Sequence, residues 1–91
     1  MSEPQTLAQI RIEEECAALA KMLCAKSAAY GNSALDPVRI MSKASATEQL
    51  LVRIDDKLSR LARGKEAGED VYQDLAGYLI LLLVARRQGN D

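Results

Sequence analysis

Apolar and polar residues alternate along most of this chain with the three-to-four-residue period of a helix, interrupted at two clusters of turn residues. Gln5 to Tyr30, free of Gly and Pro and rich in Ala, Leu, Glu and Lys, predicts a first long helix. Its seam runs through Ile12, Cys16, Leu19, Leu23 and Tyr30, with Lys26 filling the gap before the tyrosine. A lysine thus sits on a core-facing seam. Glu13, Glu14 and Glu15 read as a solvated acidic run in the half of the helix where negative charge is favoured.

Gly31, Asn32 and Ser33 end that helix, and Asp36-Pro37 predicts a cap with proline at the first helical position. Val38 to Met41 is then expected to form a single helical turn over one end of the bundle. Ser45-Ala-Thr-Glu48 fits a capping box that starts a second helix, which runs to about Arg63 with Leu50, Leu51, Ile54, Leu58 and Leu61 on one face. Gly64 stands where a C-cap is expected. Beyond the polar stretch Lys65 to Gly68, Glu69 and Asp70 open a third helix, with Val71, Leu75, Tyr78, Leu79 and Leu82 facing the core. From Leu79 to Val84 this helix is apolar all round, so it is expected to pack against another subunit. The expected fold is all-α: a small bundle of three main helices plus a short helical turn, completed by oligomerisation. Residues 1–91 make one domain, with flexible tails expected at 1–4 and 88–91.

Composition sharpens this picture. The hydrophobic content of 48% comes without Phe or Trp, and three Tyr are the whole aromatic complement, which suits packed helices better than a sheet. A chain of 91 residues buries only roughly 60–65% of its unfolded surface, so a second chain would help stabilise it. The net charge of -1 leaves no global footprint for duplex nucleic acid or an anionic membrane, and any nucleotide affinity must be local. Histidine is absent, which removes Ser-His-Asp and Cys-His catalysis and His-ligated metals. Cys16 and Cys24, roughly 12 Å apart along one helix, exceed the reach of a disulfide and are expected to be buried and reduced. The start Met-Ser-Glu-Pro-Gln lacks an export pattern, and the run Tyr78 to Ala85 is too short to span a bilayer. A cytoplasmic protein without a membrane partner is the expectation.

Three sets of polar residues fall at core edges. Lys26 and Tyr30 share a face of the first helix, and Asp70, Asp74 and Tyr78 form one ridge of the third. On the second, Arg53, Asp55, Asp56, Lys57 and Arg60 flank the apolar stripe of Ile54 and Leu58. Three uses compete for these residues. The ridges could be salt-bridged surface, in which pairs such as Asp56 with Arg60 need no ligand. Asp55, Asp56, Asp70 and Asp74 could hold Mg²⁺ on a diphosphate. Lys26, Arg53, Lys57 and Arg60 could bind phosphate while Tyr30 or Tyr78 stacks on a base.

Lys26, Tyr30-Gly31-Asn32-Ser33, Ala34-Leu35-Asp36-Pro37, Val52-Arg53-Ile54-Asp55-Asp56-Lys57-Leu58-Ser59-Arg60-Leu61 and Asp70 to Tyr78 together resemble a phage and prophage family, the nucleotide modification associated domain. The resemblance covers roughly two thirds of the chain and implies an all-helical fold and a link to nucleotides. A weaker similarity runs to the MazG-like nucleotide pyrophosphatases, which pair Glu-x-x-Glu on one helix with Glu-x-x-Asp on the next around Mg²⁺. This chain departs from that pattern: Val71 stands three before Asp74, and the second helix offers only Asp55 and Asp56.

The resulting expectation is a homo-oligomeric nucleotide-binding protein with Lys26, Tyr30, Asn32, Arg53, Lys57, Arg60 and Tyr78 at the site. If phage-encoded, it would work in the host cytoplasm by sequestering a nucleotide or cyclic nucleotide signal of host defence, with no cofactor. The alternatives are a Mg²⁺-dependent pyrophosphatase using the four aspartates and an interaction module without a small ligand.

Overall fold

The computed structural model describes residues 3–89 and contains three helices: α1 (Leu7–Ala29), α2 (Ala46–Arg63) and α3 (Val71–Gln88). The all-α expectation holds. Residues 1, 2, 90 and 91 of the expected tails lie outside the described residues. Gln88, the first residue of the expected C-terminal tail, is the last residue of α3.

Each helix starts and stops where local chemistry directs it. Thr6 accepts from the Gln9 backbone N–H at 3.1 Å while Gln9 Oε1 accepts from the Thr6 N–H at 2.9 Å, a reciprocal capping box that moves the start of α1 past Gln5. Ser45 Oγ accepts from the Glu48 N–H at 3.1 Å, as its sequence context predicts. Asp70 caps α3 by accepting from the Gln73 N–H at 3.0 Å. Gly64 closes α2 in the left-handed region at φ 66°.

The helices assemble as a layer with one lodger. α2 and α3 pack closely and run antiparallel, bringing Thr47 and Leu51 beside Leu83 and Arg86, and Lys57 beside Asp74. Their shared core is small: Ala46, Leu50, Val71 and Ala85 are the buried apolar residues, and of these only Leu50 is large. α1 leans on α3 alone, running parallel to it, and docks where Gly77 admits Leu19, Met22 and Leu23. No residue of α1 is buried. Ile12, Cys16 and Tyr30, expected on a core seam, are exposed. Both cysteines are likewise exposed rather than buried, because α1 meets its neighbour on one narrow side only.

The expected turn at Val38 to Met41 does not form. This segment is an irregular strap tied by Arg39 Nε donating to the Ala44 carbonyl at 2.9 Å, and Met41 is 94% exposed, so it covers no end of the bundle. The chain turns earlier, over Tyr30 to Leu35. There Gly31 and Asn32 take successive left-handed conformations, at φ 63° and 62°, and the Asn32 carbonyl accepts from the N–H groups of Leu35 and Asp36. Asparagine tolerates that conformation better than most side chains do. Among the described residues no helix is long and apolar enough to cross a membrane.

Candidate functional site

A cleft of about 210 Å³ opens between the C-terminal end of α1, the following turn and the α2–α3 layer. Its floor is apolar, from Met22, Leu23, Gly77 and Leu81. Gly77 sets the depth, for a Cβ at that position would stand 3.1 Å from Leu23 Cδ2. Around this floor stand Lys26, Tyr30, Asn32, Arg53, Asp74 and Tyr78. The fold therefore gathers five of the seven expected ligand-binding residues from three helices and a turn. Ser27 and Ser33 also line the cleft, and nothing in their local sequence distinguishes them from solvated serines.

Lys57 and Arg60, the other two, lie outside the cleft in a cluster organised by Glu69. Lys57 Nζ donates to Glu69 Oε2 at 2.6 Å and lies 3.2 Å from Asp74 Oδ2. Arg60 donates to the other Glu69 oxygen and pairs with Asp56 at 3.0 Å, one turn before it on α2. The hydrogen bond to Glu69 raises the Lys57 ammonium above its ordinary range; burial opposes this, and Asp74 adds to it. Glu69 is held below the ordinary glutamate range by Lys57 first and then Arg60, against the effect of burial. Arg60 is raised in turn, by Glu69 first and by Asp56.

Glu69 is the residue that sequence reasoning misplaced. Its position just before a helix is equally suited to complementing that helix's own dipole. The Glu66-to-Gly68 turn instead directs it across to α2, with the Glu69 N–H bonded to the Glu66 carbonyl at 2.9 Å.

The four aspartates have separate neighbours. Asp70 caps α3, Asp56 pairs with Arg60, Asp74 faces Lys57, and Asp55 is exposed. Among the described residues no three carboxylates or cysteines are grouped as metal ligands.

Arg53 and Lys26 differ from Lys57 and Arg60 in one respect that matters for chemistry. Among the described residues neither has an ion-pair partner, although both border a cleft with an apolar floor and two phenol rings. Such an arrangement can take a flat ring against the floor and an anion at the rim. Comparison of the chain with family models, curated proteins and solved structures finds no match.

Proposed function

We propose that this protein binds a nucleotide-type ligand in the cleft between α1 and the α2–α3 layer. Lys26 and Arg53 receive the phosphate there, and Tyr30 and Tyr78 flank the base. The observation that carries this reading is that Lys26 and Arg53, neither ion-paired among the described residues, line one cleft together with apolar side chains and two of the chain's three aromatic rings. Each feature serves a different part of the ligand: a guanidinium fits a phosphate edge, an ammonium adds a point charge, and a phenol offers a stacking surface.

The cleft volume limits the mode of binding. Sites that enclose a drug-sized ligand run to about 300–1,000 Å³, and this one is smaller, at about 210 Å³. It holds a base or a sugar and leaves phosphate at the rim, where the cations are. Asn32, with its backbone committed to the turn, has a side-chain amide free to read polar atoms of the ring. The resemblance to the nucleotide modification associated domain supports the same ligand class. Binding is supported over turnover in that Asp56 and Asp74 pair with cations and Asp70 caps α3. Sequestration of a nucleotide or cyclic nucleotide signal follows as the mode of action.

A thermal-shift panel tests this reading with mono-, di- and cyclic nucleotides, inorganic phosphate and nucleosides. We expect at least one nucleotide to raise Tm of the wild type and not of Lys26→Ala, with phosphate and nucleoside each weaker than the intact molecule. No shift with any nucleotide would overturn the assignment. Release of monophosphate and pyrophosphate from a nucleoside triphosphate with Mg²⁺ would replace it with the enzymatic reading.

A further inference from the structure

The α2–α3 layer has two faces, and α1 and the cleft occupy only one. The other is open and apolar. Leu79 is 53% exposed and Leu83 41% on α3, and Leu58 is 49% exposed on α2. Leu51, Leu79, Leu82 and Leu83 line a shallow apolar groove between the two helices on this side. Along α3, Leu79 and Leu83 stand one turn apart on this side, and Tyr72 and Ala76 continue the spacing toward the N-terminal end, where they border a groove shared with Glu15, Cys16 and Leu19 of α1.

The single chain leaves more surface exposed than a compact monomer of this mass. A folded monomer of 9.9 kDa exposes about 5,200 Å², whereas this chain exposes 7089 Å². Its radius of gyration is 15.7 Å, against about 12 Å for a compact chain of this length. The excess is roughly 1,900 Å², shared between this face and α1, which has no buried residue, and it leaves room for the ~800 Å² that each partner of a standard interface buries. A core with Leu50 as its one large buried side chain needs a cover that is always available, and a second copy of the same chain meets that requirement.

Charge selects the orientation. Arg86 sits at the C-terminal end of the stripe and Tyr72 toward its N-terminal end, and among the described residues Arg86 has no ion-pair partner. A parallel pairing would place arginines against arginines. An antiparallel two-fold centred on Leu79 instead brings Arg86 onto the Tyr72 ring of the second copy, a cation on a π face.

We infer that the open α2–α3 face is the interface of a two-fold homodimer, with α3 antiparallel to α3 across Leu79, giving a four-helix core with α1 outside on either side. This goes beyond the nucleotide reading and uses a different face, so the two can fail separately: the cleft remains open in the dimer.

Light scattering and sedimentation of the full chain at micromolar concentration test it. The wild type is expected at about twice the 9.9 kDa chain mass, and Leu79→Glu at the monomer mass with its helical circular dichroism retained. A monomeric wild type, or a Leu79→Glu variant that keeps the dimer mass, overturns the proposal. Orientation is tested by disulfide trapping in a Cys16→Ser, Cys24→Ser background. Tyr72→Cys and Arg86→Cys chains should cross-link when mixed and not when oxidised separately. Cross-linking only within each separate variant, or none in the mixture, contradicts the antiparallel arrangement. This readout also decides the matter if Leu79→Glu does not fold.

Discussion

Lys57 Nζ donates to Glu69 Oε2 at 2.6 Å, and this one contact divides the cations of α2 into two kinds. Lys57 and Arg60 tie α2 to the residue that precedes α3. Arg53, one turn before Lys57 on the same helix, faces the cleft without a carboxylate of its own. The ridge is therefore salt-bridged at its C-terminal end, while Arg53 at its N-terminal end has no ion-pair partner among the described residues.

Lys57→Ala should lower Tm by a few degrees and leave nucleotide affinity within about twofold. Removing the ammonium leaves Asp74 without its ion-pair partner and Glu69 with Arg60 alone, and a partly buried carboxylate that loses its partner is destabilising. Thermal melts with parallel binding titrations check it. A variant with unchanged Tm and lost binding would assign Lys57 to the ligand site.

The same cluster sets a pH dependence. Glu69 is held below the ordinary 4.5 of a glutamate, so its contribution is present above that value and is lost as pH falls through its lower folded value. Lys57 is raised above 10.5, so its contribution is present below 10.5 and is lost as pH rises through its higher folded value. Between these limits the cluster is intact. Glu69→Gln should lower Tm at pH 7 and narrow the gap to wild type as pH drops below about 4.5, readable from melts across pH 3–8. A gap that stays constant down to pH 3 would deny the carboxylate this role.

Leu50→Ala should destabilise the fold by about 2–4 kcal/mol, the usual cost of emptying a fully buried leucine site. Leu50 has no exposure, and no other fully buried side chain approaches its size. Denaturant titration at constant slope measures the change. A loss under about 1 kcal/mol would place the weight of the core elsewhere.

Gly77 controls how closely α1 sits on the layer. Gly77→Ala gains roughly 1 kcal/mol of helix propensity but pushes a methyl to 3.1 Å from Leu23 Cδ2. Leu23 borders the cleft and can yield by a few tenths of an ångström, so stability should change by less than about 1 kcal/mol while the floor of the cleft rises. Gly77→Val has no such escape and should lift α1 and abolish ligand binding. Binding to Gly77→Val at wild-type affinity would place the ligand elsewhere.

What was legible in the sequence was whatever depends on residues within one turn of each other. Ser45 and Glu48 announced the start of α2, and Gly64 its end, because caps are local. Lys26 and Tyr30 stood out as polar residues on an apolar seam, and they do face one cleft. The exposed position of α1 was not legible, since apolar periodicity looks the same in a helix that is covered and in one that awaits a partner. Nor was the division between Arg53 and Lys57, which turns on Glu69, a residue twelve positions after Lys57 whose direction is set by a turn. Nor does anything in the local sequence mark Gly77 as the place where α1 seats, because the residues it admits are on another helix.

The claim that Lys26 and Arg53 form an anion-reading rim is tested most directly by calorimetric titration of a nucleotide into wild type and Arg53→Ala under the same salt. Loss of a charge-assisted contact worth about 1.5–3 kcal/mol corresponds to roughly 10- to 150-fold in Kd. We expect Arg53→Ala to weaken binding by that factor with Tm of the free protein unchanged. Equal affinities in the two proteins would contradict the site.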